Sequence, residues 1–315
     1  MKRILLVKTS SLGDVVHNFP VASDIRRRFP DAQIDWVVED AFVSLVRLHP
    51  AIRRVLPVAL RRWRRAPLSR GTWSDFSRSR AEIAAESYDA IIDTQGLMKS
   101  ALISCLANGP RHGYDSSSAR EALASCFYRF RHRVATGRHA VTRNRELAAQ
   151  ALGYTVDRTL DFGCEVPGMN TGRSEGSDIV LLHSTSRKDK LWSESHWIQL
   201  GRRLEKAGLR CTIPWGSEDE LARSRRIASG LDHAEVPGRL SIPDLARLLA
   251  RAKAVVGVDT GLVHLAAALG TAVVALYMGS DPDLTGVCSN GNATNLGRLG
   301  REPGVDEVLE ALKIR

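Results

Sequence analysis

Long apolar runs, paired cysteines and metal-ligand spacings are all missing from this chain. The N-terminal apolar run, Ile4 to Val7, is too short for a secretory signal. The most apolar window, 254–278, is interrupted by Asp259 and His264, whereas a membrane span needs about 20 mostly apolar residues. The cysteines Cys105, Cys126, Cys164, Cys211 and Cys288 are odd in number, and no two stand in CxxC spacing. That excludes a zinc or thioredoxin-like signature and a disulfide framework. These absences predict a cytoplasmic protein in a reducing compartment. Aromatic residues are only 6% of the chain, too few to promise a base-stacking platform. No DNA- or RNA-binding motif is present.

Lysine is also scarce: eight of the 45 basic residues, the rest being arginine. Arginine suits phosphates and carboxylates because its fork binds them bidentately, although an arginine-rich genome would give the same bias. The distribution of charge is harder to explain that way. Residues 1–150 hold 25 Lys+Arg against 14 Asp+Glu, a balance of +11, and residues 151–315 hold 20 against 21, a balance of −1. The first half is therefore expected to meet an anionic partner.

At 315 residues the chain exceeds the roughly 250–300 residues that one core usually serves. Short β-rich runs alternate with helix patterns, which predicts parallel, doubly wound sheets. In the first half the expected strands are 3–8, 34–38, 55–58 and 88–93, with one helix over 15–29 and a basic loop over 61–70, RRWRRAPLSR. Residues 154–177 are polar and turn-rich and are read as a linker. The alternation then restarts with strands at 179–183, 210–214 and 254–258. Residues 279–303 show no clear period, and the last helix, 305–312, is amphipathic. The expected domains are 1–160 and 161–315, with the last helix suited to pack back on the first.

The chain's most informative stretch is Ala254 to Met278. It reads strand, turn at Asp259-Thr260-Gly261, helix, strand, with polar residues where open α/β sheets bind ligands. A helix starting after Gly261 offers backbone N–H groups to an anion, and His264 shares a face with Gly261; a helix cap with a core histidine is the plainer alternative. The loop HSTSRKDK, 183–190, also follows a strand. It offers Ser184, Thr185 and Ser186 hydroxyls and the Lys190 charge to a phosphate, or is simply solvated. Glu220, near Trp215-Gly216, is a candidate for ribose hydroxyls, or an acid favoured at a helix start. Asp14, in KTSSLGD after the first strand, is a candidate general base or a helix cap. Arg61, Arg62, Arg64, Lys99, Arg120, His139 and Arg143 form the basic set of the first half, and Trp63 within RRWRR is placed to enter a lipid interface.

Together these segments resemble the lipopolysaccharide heptosyltransferases, glycosyltransferase family nine. The resemblance runs through VKTSSLGD (7–14), YDAIIDTQGLMKSA (88–101), HSTSRKDKLW (183–192), PWG (214–216) and VDTGLVHLAAAL (258–269). RRWRR and YDAIIDTQG point to the branch that adds the first inner-core heptose. The resemblance implies the GT-B fold, two Rossmann-like doubly wound domains facing across a cleft. It implies inverting, metal-independent transfer, with no cofactor, from ADP-L-glycero-β-D-manno-heptose to Kdo2-lipid A, at the cytoplasmic face of an anionic inner membrane and without nucleic acid. It makes Asp14 the base and gives Thr185, Ser186, Lys190, Thr260 and Gly261 to the diphosphate. Glu220 would face the ribose, Asp259 the heptose, and His264 would support that loop. The basic set would meet the acceptor's phosphates and carboxylates. One departure stands out: Met278-Gly279-Ser280-Asp281-Pro282 replaces the expected Gly-Pro-Thr-Asp-Pro. Addition of the second heptose, a nucleotide-sugar epimerase and a basic nucleic-acid-binding module are the competing readings.

Overall fold

The computed structural model describes residues 2–169, 178–289 and 291–313. They form two compact units, Met1–Cys164 and Glu165–Arg315. In the first, β1 (Arg3–Val7) leads to helices α1 (Leu12–Val16) and α2 (Phe19–Arg28). Then come β2 (Gln33–Glu39), α3 (Val43–Val46), β3 (Ile52–Val58), α4 (Leu60–Arg65), α5 (Arg70–Ala84), β4 (Ala90–Asp93), α6 (Met98–Ser104), β5 (Arg111–Tyr114), β6 (Phe130–His132) and α7 (Ala140–Leu152). The sheet order is β3-β2-β1-β4-β5-β6, every pair parallel. Both faces of such a sheet are covered, so its central strands can be wholly apolar; Ile4, Leu5, Leu6 and Val7 are fully buried.

The second unit repeats the plan. It comprises β7 (Asp178–Leu182), α8 (Glu194–Lys206), β8 (Arg210–Thr212), α9 (Glu218–Ala228), β9 (Ala234–Glu235), α10 (Ile242–Arg251), β10 (Ala254–Val258), α11 (Gly261–Ala268), β11 (Val273–Tyr277), α12 (Pro282–Thr285), β12 (Ala293–Gly297) and α13 (Val305–Leu312). Its order, β9-β8-β7-β10-β11-β12, matches that of the first sheet strand for strand. The order reverses direction between β1 and β4 in one unit and between β7 and β10 in the other. Crevices for ligands open at the carboxyl ends of such strand pairs.

Three local expectations change. The helix read over 15–29 is two helices, broken at His17-Asn18 just before Pro20, whose missing N–H is tolerated in a first turn. RRWRR is helical, and Trp63 is buried against the Phe76 ring, centroids 5.5 Å apart, so it is a core residue and not a lipid contact. Residues 154–164 are held by the first unit: Arg28 donates to the Thr155 carbonyl, and Asp157 pairs with Arg27 and Arg28. Of the expected linker, 170–177 lie outside the described residues. The last helix, α13, buries Val305, Val308 and Leu309 in the core of the second unit, with Ile179 and Leu204.

Candidate active site

At the first unit's switch point, Gln95 locks the loop after β1. Its Oε1 accepts from the N–H groups of Thr9 (3.0 Å) and Ser10 (3.3 Å), and its Nε2 donates to the Ser10 carbonyl at 2.6 Å. The buried Asp93 carboxylate holds the Gln95 N–H at 2.8 Å and the Tyr128 hydroxyl at 2.7 Å. On this fixed loop, Ser11 caps α1 and gives its N–H to Asp14 Oδ2 at 3.0 Å. Asp14 is thus part of a cap, as the plainer reading had it. It is also ion-paired: Arg120 Nη2 lies 2.7 Å from Asp14 Oδ1.

Close to Asp14 is Lys8, the first residue of KTSSLGD, to which the sequence alone assigns no role. Lys8 is 1% exposed and donates to the Thr94 carbonyl at 2.8 Å and to Asn144 Oδ1 at 3.4 Å. Burial lowers its pKa to about 8, with Asp14 pulling the other way. Burial alone would push the Asp14 carboxyl up, but Lys8, Arg120 and the Ser11 N–H outweigh it and hold that carboxyl well below the usual carboxylate range. Taking away either cation lets the carboxyl rise, so a larger share is protonated at a given acidic pH. Lys8→Met and Arg120→Gln are therefore expected to lose activity at a higher pH than the unaltered protein as acid is added, measured as the acid limb of kcat/KM.

Four members of the basic set gather around this loop. Lys99 Nζ donates to Ser10 Oγ at 3.0 Å, and Arg120 reaches Asp14. Arg143 donates to the Ser118 carbonyl and lies over the Tyr114 ring at 5.0 Å. His139 caps α7 and meets the His17 ring edge-on at 5.4 Å. Arg61, Arg62 and Arg64 stand apart on α4. The backbone N–H of Arg61 donates to Glu39 Oε1 at 2.9 Å, and the Arg62 side chain pairs with Asp75 at 2.9 Å and with Asp40 at 3.6 Å.

In the second unit the loops after β7 and β10 are cross-linked. Thr185 Oγ1 donates to the Asp259 carbonyl at 3.0 Å, and Lys190 Nζ lies 2.5 Å from Asp259 Oδ2. Ser280, where the sequence departs from the family's expected run, donates its hydroxyl to the same Oδ2. Gly279 beside it is closely approached: a Cβ there would lie 2.6 Å from Asp189 Oδ2 and 3.0 Å from its carbonyl, so a side chain would displace the Asp189 carboxylate. Three loops therefore meet at Asp259. Thr260 is the N-cap of α11 without a side-chain capping hydrogen bond, Gly261 opens that helix, and His264 is buried one turn on. Ser186 is exposed.

Glu220 Oε2 accepts the Gly216 N–H at 2.7 Å, closing the turn before α9, and Trp215 Nε1 donates to the Pro237 carbonyl at 2.8 Å. His183, at the end of β7, lies 2.8 Å from both Ser224 Oγ and Ser184 Oγ. Burial, then the Arg223 charge, lowers its pKa to about 4, so it is neutral near pH 7. Lys8, Asp93, Gln95, His183 and Ser280 lie in the motifs quoted from the sequence, but the sequence alone assigns them no role in the candidate site. A lysine closing a buried strand was the one signal available for Lys8.

Among the described residues, no group of three His, Cys, Asp or Glu is placed to hold a metal ion, and no helix is long and apolar enough to cross a membrane. The model of the family "Glycosyltransferase family 9 (heptosyltransferase)" matches residues 77–311. The lipopolysaccharide heptosyltransferase 1 of Escherichia coli (strain K12) is 45% identical over 287 residues, which is 90% of each chain. A solved structure of E. coli heptosyltransferase WaaC with ADP superposes with a TM-score of 0.92 at 41% identity over 99% of each chain. The same enzyme with ADP-2-deoxy-2-fluoro heptose gives 0.88 at 39% identity, again over 99% of each chain.

Proposed function

The chain belongs to glycosyltransferase family 9, the heptosyltransferases, and from that membership we propose that it transfers L-glycero-D-manno-heptose from ADP-heptose to Kdo2-lipid A with inversion. Its two doubly wound α/β units are the GT-B class. One observation carries the reading. The first unit holds an ionised carboxylate, Asp14, in a cationic nest at its switch point, and the second holds a lysine-bearing cradle at the matching place.

In this reading the second unit takes the donor. Lys190 and the N–H groups opening α11 neutralise the diphosphate, joined by Thr185, Ser186, Thr260 and Gly261. Asp259 accepts from heptose hydroxyls, Glu220 from the ribose, and His264 holds the loop. The first unit takes the acceptor, whose phosphates and carboxylates Lys99, Arg120, His139 and Arg143 meet, with Arg61, Arg62 and Arg64 further out. Asp14 removes the acceptor hydroxyl's proton as its oxygen bonds to the anomeric carbon. The bond from that carbon to the phosphate oxygen breaks, and ADP leaves with the electron pair beside Lys190. No resident cofactor has a part in these steps.

The acceptor, a lipid, places the protein at an anionic membrane surface on the cytoplasmic side. Comparing Kdo2-lipid A with the same acceptor already carrying one heptose tests the substrate assignment. Turnover is expected with the first only. Turnover with the heptose-bearing acceptor alone would make this the second-heptose enzyme, and conversion of donor without acceptor would make it an epimerase.

A further inference from the structure

Burial of Trp63 removes the lipid contact expected from the sequence, yet the same segment presents two other apolar side chains. Leu68 is 92% exposed and Trp73 61%. Single exposed apolar residues are ordinary; three observations set these apart. The first is their mounting. Trp73 meets Phe76 edge-on at 6.3 Å and Phe76 meets Trp63 edge-on at 5.5 Å, so a row of rings runs from the core to Trp73. Leu68 lies in the turn before α5, which is tied by Thr72 Oγ1 donating to the Ala66 carbonyl at 2.8 Å.

The second is charge. Residues 61–73 contain five arginines and no acid. Arg62 is drawn to Asp40 and Asp75; Arg61, whose guanidinium lies over the Phe42 ring at 5.9 Å, and Arg64, Arg65 and Arg70 are exposed on the same segment as the apolar pair. The third is position. Arg61 gives its N–H to Glu39, and Glu39 gives its own N–H to the Thr9 carbonyl at 3.1 Å, on the loop that leads to Asp14. The segment therefore follows β3 at the carboxyl end of the same sheet, the end at which the candidate base follows β1.

We infer that Leu68 and Trp73, rimmed by Arg61, Arg64, Arg65 and Arg70, are the face by which the first unit docks on an anionic lipid bilayer. Apolar side chains at the acyl boundary and arginines among anionic headgroups are the two contributions that hold a protein at a membrane surface. This deepens the proposed function, which calls for a lipid acceptor but names no surface that meets the membrane.

The test uses the full chain and no sugar substrate. Its sedimentation with vesicles of phosphatidylcholine alone is compared with that on vesicles containing phosphatidylglycerol. Binding is expected only to the second, and to weaken as salt screens the arginines. The double variant Leu68→Ser/Trp73→Ser is expected to bind about tenfold or more weakly, while matching the unaltered protein on a deacylated, soluble acceptor. Equal binding by the double variant, equal binding to both vesicle types, or no vesicle binding by the unaltered protein would each overturn the inference. Failure of the proposed function reads differently: neither protein would turn over the soluble acceptor, whatever the vesicles show.

Discussion

Asp14→Asn is expected to lower kcat for heptose transfer by about 10²–10⁴-fold, the usual contribution of a positioned general base. The amide keeps the size of the carboxylate and can still accept from the Ser11 N–H, so α1 keeps its cap. It cannot take a proton from the acceptor. ADP binding should be unchanged, because every donor contact assigned here lies in the second unit. Calorimetric titration with ADP beside a steady-state assay separates the two effects. A variant with near-normal turnover would remove Asp14 from the chemistry and leave it as a helix cap.

Lys190→Ala is expected to lower kcat by about 10²–10³-fold, as losing one group that stabilises developing charge does. Two effects add. In the proposed reading the leaving diphosphate loses a cation, and Asp259, without its ion-pair partner at 2.5 Å and held only by the neutral Ser280 hydroxyl, brings an uncompensated negative charge near the phosphates. Lys190→Arg should recover part of the rate, since it restores charge but not the compact ammonium. Steady-state kinetics on the three proteins reads this directly. An alanine variant that loses only donor affinity, with kcat intact, would confine Lys190 to ground-state binding.

Much of the fold was legible because the central strands are unbroken apolar runs: Ile4 to Val7 and Ala254 to Val258 announce themselves without tertiary context. Where pairing decides, the sequence is silent. Residues 293–297, ATNLG, carry one large aliphatic side chain and read as loop, yet they form an edge strand because β11 offers them a parallel ladder. Trp63 failed for a related reason. Its arginine neighbours suggested a surface loop, whereas a helix turns all four of them outward and the indole inward.

The candidate site was legible as segments, and its wiring was not. Thr185, Lys190 and Asp259 stood out as polar residues after strands, but only the fold shows that Thr185 spends its hydroxyl on the Asp259 backbone and Lys190 its charge on the Asp259 carboxylate. Ser280 looked like a departure from pattern and proves to donate a second hydrogen bond to that carboxylate, beside Lys190. The burial of Lys8 was hidden because a buried lysine is rare unless paired, and its partners lie 86 and 136 residues away.

Transfer of heptose from an ADP-linked donor is open to a direct measurement, a donor panel. ADP-heptose, a UDP-sugar and a GDP-sugar are each offered with Kdo2-lipid A, and the acceptor is weighed by mass spectrometry. The expected result is an acceptor heavier by one heptose, with ADP released in equal amount, from ADP-heptose alone. Transfer from the UDP- or GDP-sugar with none from ADP-heptose would contradict it.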